Sequence, residues 1–163
     1  MALICLLALT GAAWGGELEA ARDRQDLAAL EAIVARLSAA AEQAPSDVGK
    51  QYRAALASSY LAEVALELRD RAKARSAAEA GIRAAERALA LEPATAEYHR
   101  VLGTLCGQVV PANVLAGLRY GKRAREAIAK ALELDPRSSA AWLARGVGNY
   151  YLPPAFGGGT EQA

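Results

Sequence analysis

The segment KALELDP (Lys130–Pro136) closes an amphipathic helical pattern one residue before a proline. Two earlier segments end in the same way, RALALEP at Pro93 and SAAAEQAP at Pro45. Proline cannot continue a helix, and it restrains the residue that precedes it. An alanine also stands five residues before each of these prolines. This recurrence indicates an internal repeat, in which each unit ends with a helix.

The composition agrees with a helical repeat. Alanine dominates the chain of 163 residues, and the β-branched and aromatic residues that favour strands are sparse, so an all-α fold is expected. Nineteen lysines and arginines face 18 acidic residues, which leaves a formal net charge of +1. Because the net field is so small, bulk attraction to nucleic acid or to an anionic membrane is not expected.

The residues after the second and third prolines resemble the tetratricopeptide repeat, a helix-turn-helix unit whose first helix carries the pattern W-x2-L-G-x2-Y. The matching residues stand at the spacing of that family: Leu102, Gly103, Trp142 and Gly146. The resemblance implies that the two helices of a unit cross closely at the small residue. His99 occupies the tryptophan position of its unit, so we expect it to pack between helices.

We therefore predict an all-α fold, a right-handed α-solenoid of three tetratricopeptide-like helix hairpins with the last repeat incomplete. The units are longer than the usual 34 or so residues. The extra residues between Pro45 and Pro93 predict longer helices or a wider turn around Arg69 to Lys73. The extra residues between Pro93 and Pro136 fall at Val109 to Gly117. After Tyr151, two prolines and three glycines predict a turn into a helix that is missing, so we expect a fragment or a covering subunit.

The first 16 residues, MALICLLALTGAAWGG, resemble a secretory signal peptide with cleavage after Ala13 or Gly15. No lysine or arginine precedes the apolar centre, so an upstream start or a buried helix remains an alternative. We assign residues 1–16 to the signal peptide and residues 17–163 to the repeat domain. This assignment predicts a periplasmic or secreted protein whose mature chain has no membrane span.

A narrower resemblance lies in LGTLCGQVVPANVLAGLRYGKRAREAIAKALELDP. It is similar to the repeat region of the regulator of microtubule dynamics family, in which a Leu-Cys-Gly-Gln helix precedes a long insert and a Gly-aromatic helix start. The corresponding residues are Leu105 to Gln108, Gly117 and Tyr120. The terminal Pro-x-x-x-Gly-Gly is similar to bacterial exported repeat proteins, including the T component of TRAP transporters. A microtubule role is not expected to transfer to an exported protein.

Catalytic and metal chemistry find little support in the sequence. One histidine and one cysteine of the mature chain cannot complete an ordinary zinc site. No acid/base pair of carboxylates and no Ser–His arrangement stands out. Cys106 is expected to be a small apolar core residue, and the basic run from Arg119 to Arg125 a solvated helix face. We predict a protein that is not an enzyme and has no metal or cofactor.

Carried over by position, the resemblance implies a concave groove that contacts a partner through Arg100, Thr104, Gln108, Tyr150 and Tyr151. The expected function is a non-enzymatic interaction scaffold of the cell envelope that holds a peptide or protein. The alternative is an accessory subunit of solute uptake, similar to the TRAP T component, which shelters a small ligand or docks a binding protein. The open C-terminal face would also permit self-association.

Overall fold

The computed structural model describes residues 13–112 and 114–151, together with Gly159 and Glu161. Over these residues every regular element is a helix and no strand occurs, as predicted. The helices are α1 (Ala13–Asp23), α2 (Leu27–Gln43), α3 (Val48–Glu67), α4 (Arg71–Leu91), α5 (Ala96–Val109), α6 (Val114–Leu134) and α7 (Ser139–Tyr151), with a 3-10 turn at Val110–Ala112. Most of the predicted signal peptide lies outside the described residues, and that assignment stays a prediction.

The helices pack in consecutive pairs, which builds a helical solenoid. α1 packs on α2, α3 on α4 and α5 on α6, while α7 packs on α5 and α6. The sequence predicts three hairpins, of which the last is incomplete. The described residues form three complete hairpins followed by one unpaired helix, because α1 supplies a first helix for α2.

The stack has two layers. The first helices of the pairs, α1, α3, α5 and α7, each contact the next first helix along the chain. The second helices, α2, α4 and α6, contact the following first helix but have no extensive packing with one another over the described residues. The first helices therefore form the inner layer, whose helices lie closer together, and the second helices form the outer layer.

Each pair is joined to the next by the same proline turn. The backbone N–H of Asp47, Thr95 and Ser138 donates to the carbonyl three residues earlier, at 3.0, 3.5 and 3.2 Å. Proline is the second residue of every one of these turns, where its fixed φ is favourable. The predicted recurrence of proline therefore corresponds to three equivalent starts of a first helix.

Within each of the first two pairs, the turn is short and contains one residue in the left-handed backbone conformation. Gln25 and Arg69 have φ of 54° and 63°, and each is followed by an aspartate that caps the next helix. The carboxylate of Asp26 accepts from the backbone N–H of Ala29 at 3.0 Å, and that of Asp70 from Lys73 at 2.9 Å. The extra residues between Pro45 and Pro93 thus lengthen α3 and α4 and do not widen the turn between them.

In the third pair, the connection is different. Most of the described residues of the predicted insert at Val109 to Gly117 are helical, because a 3-10 turn spans Val110–Ala112 and α6 begins at Val114. The 3-10 turn packs against α4 and α6. The extra residues therefore extend the second helix and do not form a long loop.

The core is built by close crossings of small residues. A Cβ on Gly103 would lie 2.7 Å from Ile128 Cγ1 and 3.1 Å from the carbonyl oxygen of Ala124, both in α6. A Cβ on Gly81 of α4 would lie 2.6 Å from Leu105 Cδ2 and 2.8 Å from Ser58 Cβ. The predicted close crossing at Gly103 is confirmed, and Gly81 is a second crossing.

Candidate functional site

The inner layer presents a row of half-buried polar and aromatic side chains. In α5 these are Arg100, Thr104 and Gln108, which are spaced four residues apart and so lie on one side of the helix. The structure thus brings together the three residues predicted from this helix. Gln108 hydrogen-bonds to Ser59 of α3, and the charge of Arg100 interacts with Tyr52 of the same helix.

Tyr52, Glu97 and Arg100 form one hydrogen-bonded network between α3 and α5. The Tyr52 hydroxyl donates to Glu97 Oε1 at 3.0 Å. The Arg100 guanidinium donates to both oxygens of the same carboxylate, at 2.6 and 2.7 Å. Tyr52 also stacks on Tyr98, with ring centroids 5.2 Å apart. The network fixes the orientation of the Arg100 guanidinium and both tyrosine rings.

Burial and charge act in opposite directions on Glu97. Burial raises the pKa of the Glu97 carboxyl, but the hydrogen bonds and charge of Arg100, together with the Tyr52 hydroxyl, outweigh it and hold the pKa below its ordinary value. The hydrogen bond from Arg100 to Glu97 in turn raises the pKa of the guanidinium. Both groups are therefore charged at neutral pH.

A second cluster joins α1 to α3. The guanidinium carbon of Arg22 lies 4.6 Å from the centroid of the Tyr60 ring, a cation–π contact. Burial raises the pKa of Tyr60, and burial also raises the pKa of Glu63. Among the described residues the Glu63 side chain makes no hydrogen bond or ion pair. The Glu63 carboxyl group can therefore accept hydrogen bonds from another molecule.

Gln108 and Thr104 differ in their bonding. The amide of Gln108 donates to the Ser59 carbonyl at 3.0 Å and accepts from the Ser59 hydroxyl at 3.3 Å. The hydroxyl oxygen of Thr104 is buried and has no hydrogen-bond partner among the described residues. Gln108 thus serves the packing of α5 on α3, a role that sequence position did not reveal.

The two tyrosines of α7 differ in their relation to the inner row. Counted from the proline turn, Tyr151 stands where Gln108 stands in α5, and it continues that row, with 78% of its surface exposed. Tyr150 lies next to it on the side of Trp142 and Gly146. The rings pack edge to face, with centroids 5.0 Å apart. That any of the five predicted residues binds a partner stays a prediction.

His99 and Cys106 have structural surroundings. His99 Nε2 lies 2.8 Å from the Pro93 carbonyl oxygen, and since a carbonyl only accepts, Nε2 carries the proton. Cys106 is fully buried, as predicted for a core residue, and burial raises the pKa of its thiol to about 11. Over residues 13–112 and 114–151, no cluster of three potential metal ligands occurs. Nor does any helix there reach the length and apolarity of a membrane span.

Four residues of these clusters are not among the partner-binding residues predicted from the sequence: Arg22, Tyr52, Tyr60 and Glu97. Two local patterns in the sequence point to three of them. Tyr52 and Tyr60 are eight residues apart and so share a side of α3, and Glu97 precedes Arg100 at ion-pair spacing. Neither signal tells which neighbouring helix these side chains meet, because that depends on how the pairs stack.

The helical pairs and their inner row can be compared with known families. Residues 18–152 match the family described as Regulator of microtubule dynamics protein 1-3. The chain belongs to this family. The match includes the whole of α2 to α7 and confirms the resemblance predicted from Leu105 to Gln108, Gly117 and Tyr120. Neither the curated proteins nor the solved structures gave a match.

Proposed function

We propose that this regulator of microtubule dynamics family member is a non-enzymatic scaffold that holds a peptide or protein partner against its inner layer. The observation that carries the proposal is a set of charged and aromatic side chains on three successive first helices, here called the recognition row. Its members are Arg22, which contacts Tyr60, and Glu97, which joins Tyr52 to Arg100. Membership of a helical repeat family supports a scaffold in general, and the row supports a particular surface.

The residue types of the row suit protein recognition. Tyrosine and arginine are enriched among the residues that dominate binding energy at protein interfaces. A ring offers a large contact area and a hydroxyl, and a guanidinium offers a fixed fork of donors. The row therefore combines apolar contact with directional hydrogen bonding.

The row is also held in place before any partner arrives. Glu97 fixes Arg100 and Tyr52 through three hydrogen bonds, and Arg22 is fixed on Tyr60. Ordering a mobile side chain at an interface costs about 0.5–1.5 kcal/mol, and contacts that pre-order the side chain reduce this cost. The half-buried Glu63 adds an acceptor for a donor of the partner.

We further propose that the scaffold works in the cell envelope. The apolar first 16 residues support export, with residues 17–163 as the mature repeat domain. The partner is then a peptide or protein that this compartment contains.

A photo-crosslinking experiment tests the inner layer as the binding surface. The crosslinking amino acid replaces Glu63 in the natural reading frame, in the native host, and adducts are identified by mass spectrometry. Glu63 is preferable to Gln108, because replacing Gln108 would break its two hydrogen bonds to Ser59. The matched control carries the same amino acid at Arg87, an exposed position of α4 in the outer layer.

The expected result is one dominant protein adduct at Glu63 that is absent at Arg87. The adduct should weaken in Tyr60→Leu, which keeps the apolar volume and removes the hydroxyl and the π-face for Arg22. The same adducts at both positions would contradict the proposal. Only scattered background adducts would instead favour a small ligand, as in an accessory subunit of solute uptake.

A further inference from the structure

The end of the recognition row at α1 and α3 contains a carboxyl group without a partner. Glu63 is half-buried, and its side chain makes no hydrogen bond or ion pair among the described residues. Burial raises the pKa of this carboxyl, the charge of Arg22 lowers it, and the carboxylates of Glu67 and Asp23 raise it. Glu63 therefore lies among groups of which three are acidic and one is basic when it is counted with them.

Arg22 does not neutralise this end of the row. Its guanidinium donates to Oδ1 of Asp23 from two nitrogens, at 3.0 and 2.7 Å, and it lies over the Tyr60 ring. Asp23 thus offsets the charge of Arg22. Over the part of the chain that the structure describes, no lysine or arginine forms an ion pair with Glu63 or Glu67.

Glu19 repeats the position of Glu63 one helical pair earlier. The two glutamates stand six residues before the left-handed residues Gln25 and Arg69, respectively. Burial is the main cause that raises the pKa of Tyr60, and the charges of both glutamates raise it further, so both lie near this ring. Oε2 of Glu19 is buried and has no hydrogen-bond partner among the described residues. Leaving a buried acceptor unpaired is costly, and a donor from a partner would remove that cost.

The outer layer carries the opposite charge. α4 and α6 together contain ten lysines and arginines against four glutamates, whereas α1 contains three acidic residues and one arginine. The formal net charge of +1 therefore conceals a separation between two basic outer helices and the acidic end of the inner layer. A basic segment of a partner is repelled by α4 and α6 and attracted to this end of the row.

We infer that the partner segment places a lysine or arginine side chain beside Glu63, between α1 and α3. The inference rests on the proposed function, because it specifies the chemistry of the partner that the recognition row holds. The N–H groups of such a side chain would satisfy the carboxylate and offset its charge, and charge-assisted hydrogen bonds are stronger than neutral ones. The nearby Tyr60 ring offers an apolar surface to the aliphatic stem of the same side chain.

Other ligands suit this end of the row less well. No cluster of three potential metal ligands occurs within residues 13–112 and 114–151, which disfavours a metal ion. An acidic or phosphorylated segment would be repelled by the carboxylates of Glu19, Glu63 and Glu67. A wholly apolar segment would cover these polar groups and supply no donor, which costs free energy.

Panning of a phage-displayed library of random peptides on the full chain tests the inference. This target keeps the Glu63 carboxylate, which the crosslinking variant lacks. We expect the selected sequences to be enriched in lysine or arginine relative to the unselected library. Glu63→Gln keeps the size of the side chain and removes its charge, so the enrichment should disappear. Glu42→Gln is the matched control and should keep it, because Glu42 is exposed on α2 in the outer layer.

One selected peptide then gives a quantitative test by calorimetric titration. Replacing its basic residue by norleucine should weaken binding to the parent chain about tenfold, because an ion pair with a partly buried carboxylate is lost. On Glu63→Gln the same replacement should change the affinity by less than about twofold, since the two changes remove the same contact. The enrichment and the norleucine measurement on the parent chain do not depend on the folding of any variant.

The outcomes separate this inference from the proposed function. Peptides that bind the parent and lose affinity in Tyr60→Leu, but show no enrichment in basic residues, would overturn the inference and leave the scaffold standing. The same holds if the enrichment persists in Glu63→Gln. Failure to select any peptide on the folded chain would contradict the proposed function, and the inference with it.

Discussion

His99 and Trp142 make the same hydrogen bond one repeat apart, each donating a ring N–H to the carbonyl of the proline six residues before it. Gln51 stands at the equivalent position of α3, and its side-chain amide donates to the Ala41 carbonyl at 2.8 Å. His99 and Trp142 therefore tie the start of a first helix to the proline turn before it, and Gln51 ties the start of α3 to the end of α2. All three side chains at this position donate an N–H.

We expect His99→Gln to keep most of this stability and His99→Leu to lose it. A net hydrogen bond is worth about 1 kcal/mol, so His99→Leu should lower the free energy of unfolding by about that amount. His99→Gln should stay within about 0.5 kcal/mol of the parent, because a glutamine at the equivalent position of α3, Gln51, donates its amide N–H to a backbone carbonyl of the preceding helix. Urea unfolding followed by circular dichroism measures both. Equal losses in the two variants would mean that the donor does not matter.

The close crossing at Gly103 predicts opposite effects for two glycines of α5. Gly103→Ala should lower the free energy of unfolding by about 1–2 kcal/mol, because its Cβ would press on Ile128 and on the Ala124 backbone. Gly107 has nothing within 4 Å of a built Cβ. Gly107→Ala should therefore raise the free energy by up to about 1 kcal/mol through helix propensity. Stabilisation of both variants would contradict the close crossing.

The left-handed turn at Arg69 predicts a stabilising substitution. Arg69 has a φ of 63°, which disfavours a residue with a Cβ. Arg69→Gly should raise the melting temperature, with a gain of about 0.5–1 kcal/mol in the free energy of unfolding. Ala72→Gly, three residues later inside α4, is the control and should lower the free energy by about 1 kcal/mol. A loss of stability in Arg69→Gly would show that the turn does not have this conformation in solution.

Glu97 predicts a pH-dependent contribution to stability. Its pKa in the folded chain lies below the ordinary value of 4.5, so the stabilisation is present above that pH and is lost as pH falls through the folded pKa. Since the carboxylate is more than a third exposed, Glu97→Gln should cost only about 1 kcal/mol at neutral pH. The cost should shrink as the pH falls below 4.5 and the carboxylate becomes protonated, which urea unfolding at neutral pH and at an acidic pH below 4.5 measures.

Glu42→Gln is the control for Glu97, because Glu42 is exposed on α2. It should change the free energy of unfolding little at either pH. A pH-independent cost in Glu97→Gln would attribute the loss to altered packing and not to the charge on the carboxylate.

Cys106 should behave as an inert thiol until the chain unfolds. Its pKa of about 11 and its burial keep it protonated and inaccessible near neutral pH. In a Cys5→Ser background, labelling by iodoacetamide should be slow in the native protein and should rise along the urea unfolding curve. Rapid labelling in native buffer, at the rate of a free thiol, would be incompatible with this core position.

The sequence predicts the repeat but not its contacts. The three proline turns depend only on the local sequence, because proline itself restricts the backbone. Their spacing therefore gives the starts of α3, α5 and α7 directly. The sequence places a turn around Arg69 to Lys73, but the positive φ of Gln25 and Arg69 escapes prediction, because glycine is the usual residue for a positive φ and neither position has one. The sequence does not predict that α1 is a helix that pairs with α2, because its apolar pattern is short and adjoins the apolar first residues.

The candidate site is less predictable than the fold. Arg100, Thr104 and Gln108 follow from the resemblance to the tetratricopeptide repeat, and they do share one side of α5. The hydrogen bond between Tyr52 and Glu97 joins residues 45 positions apart, so it depends on how one pair stacks on the next. Helical spacing within one segment contains no information about that stacking.

The outer layer of the stack has a mechanical consequence. Where the first helices pack directly, the second helices are linked across the gap by ion pairs, Glu31 with Lys73 and Glu86 with Arg123. Salt screens partly exposed ion pairs far more than it affects packed side chains. We therefore expect the stack to deform more easily along its second helices than along its first helices, and its curvature to change with ionic strength.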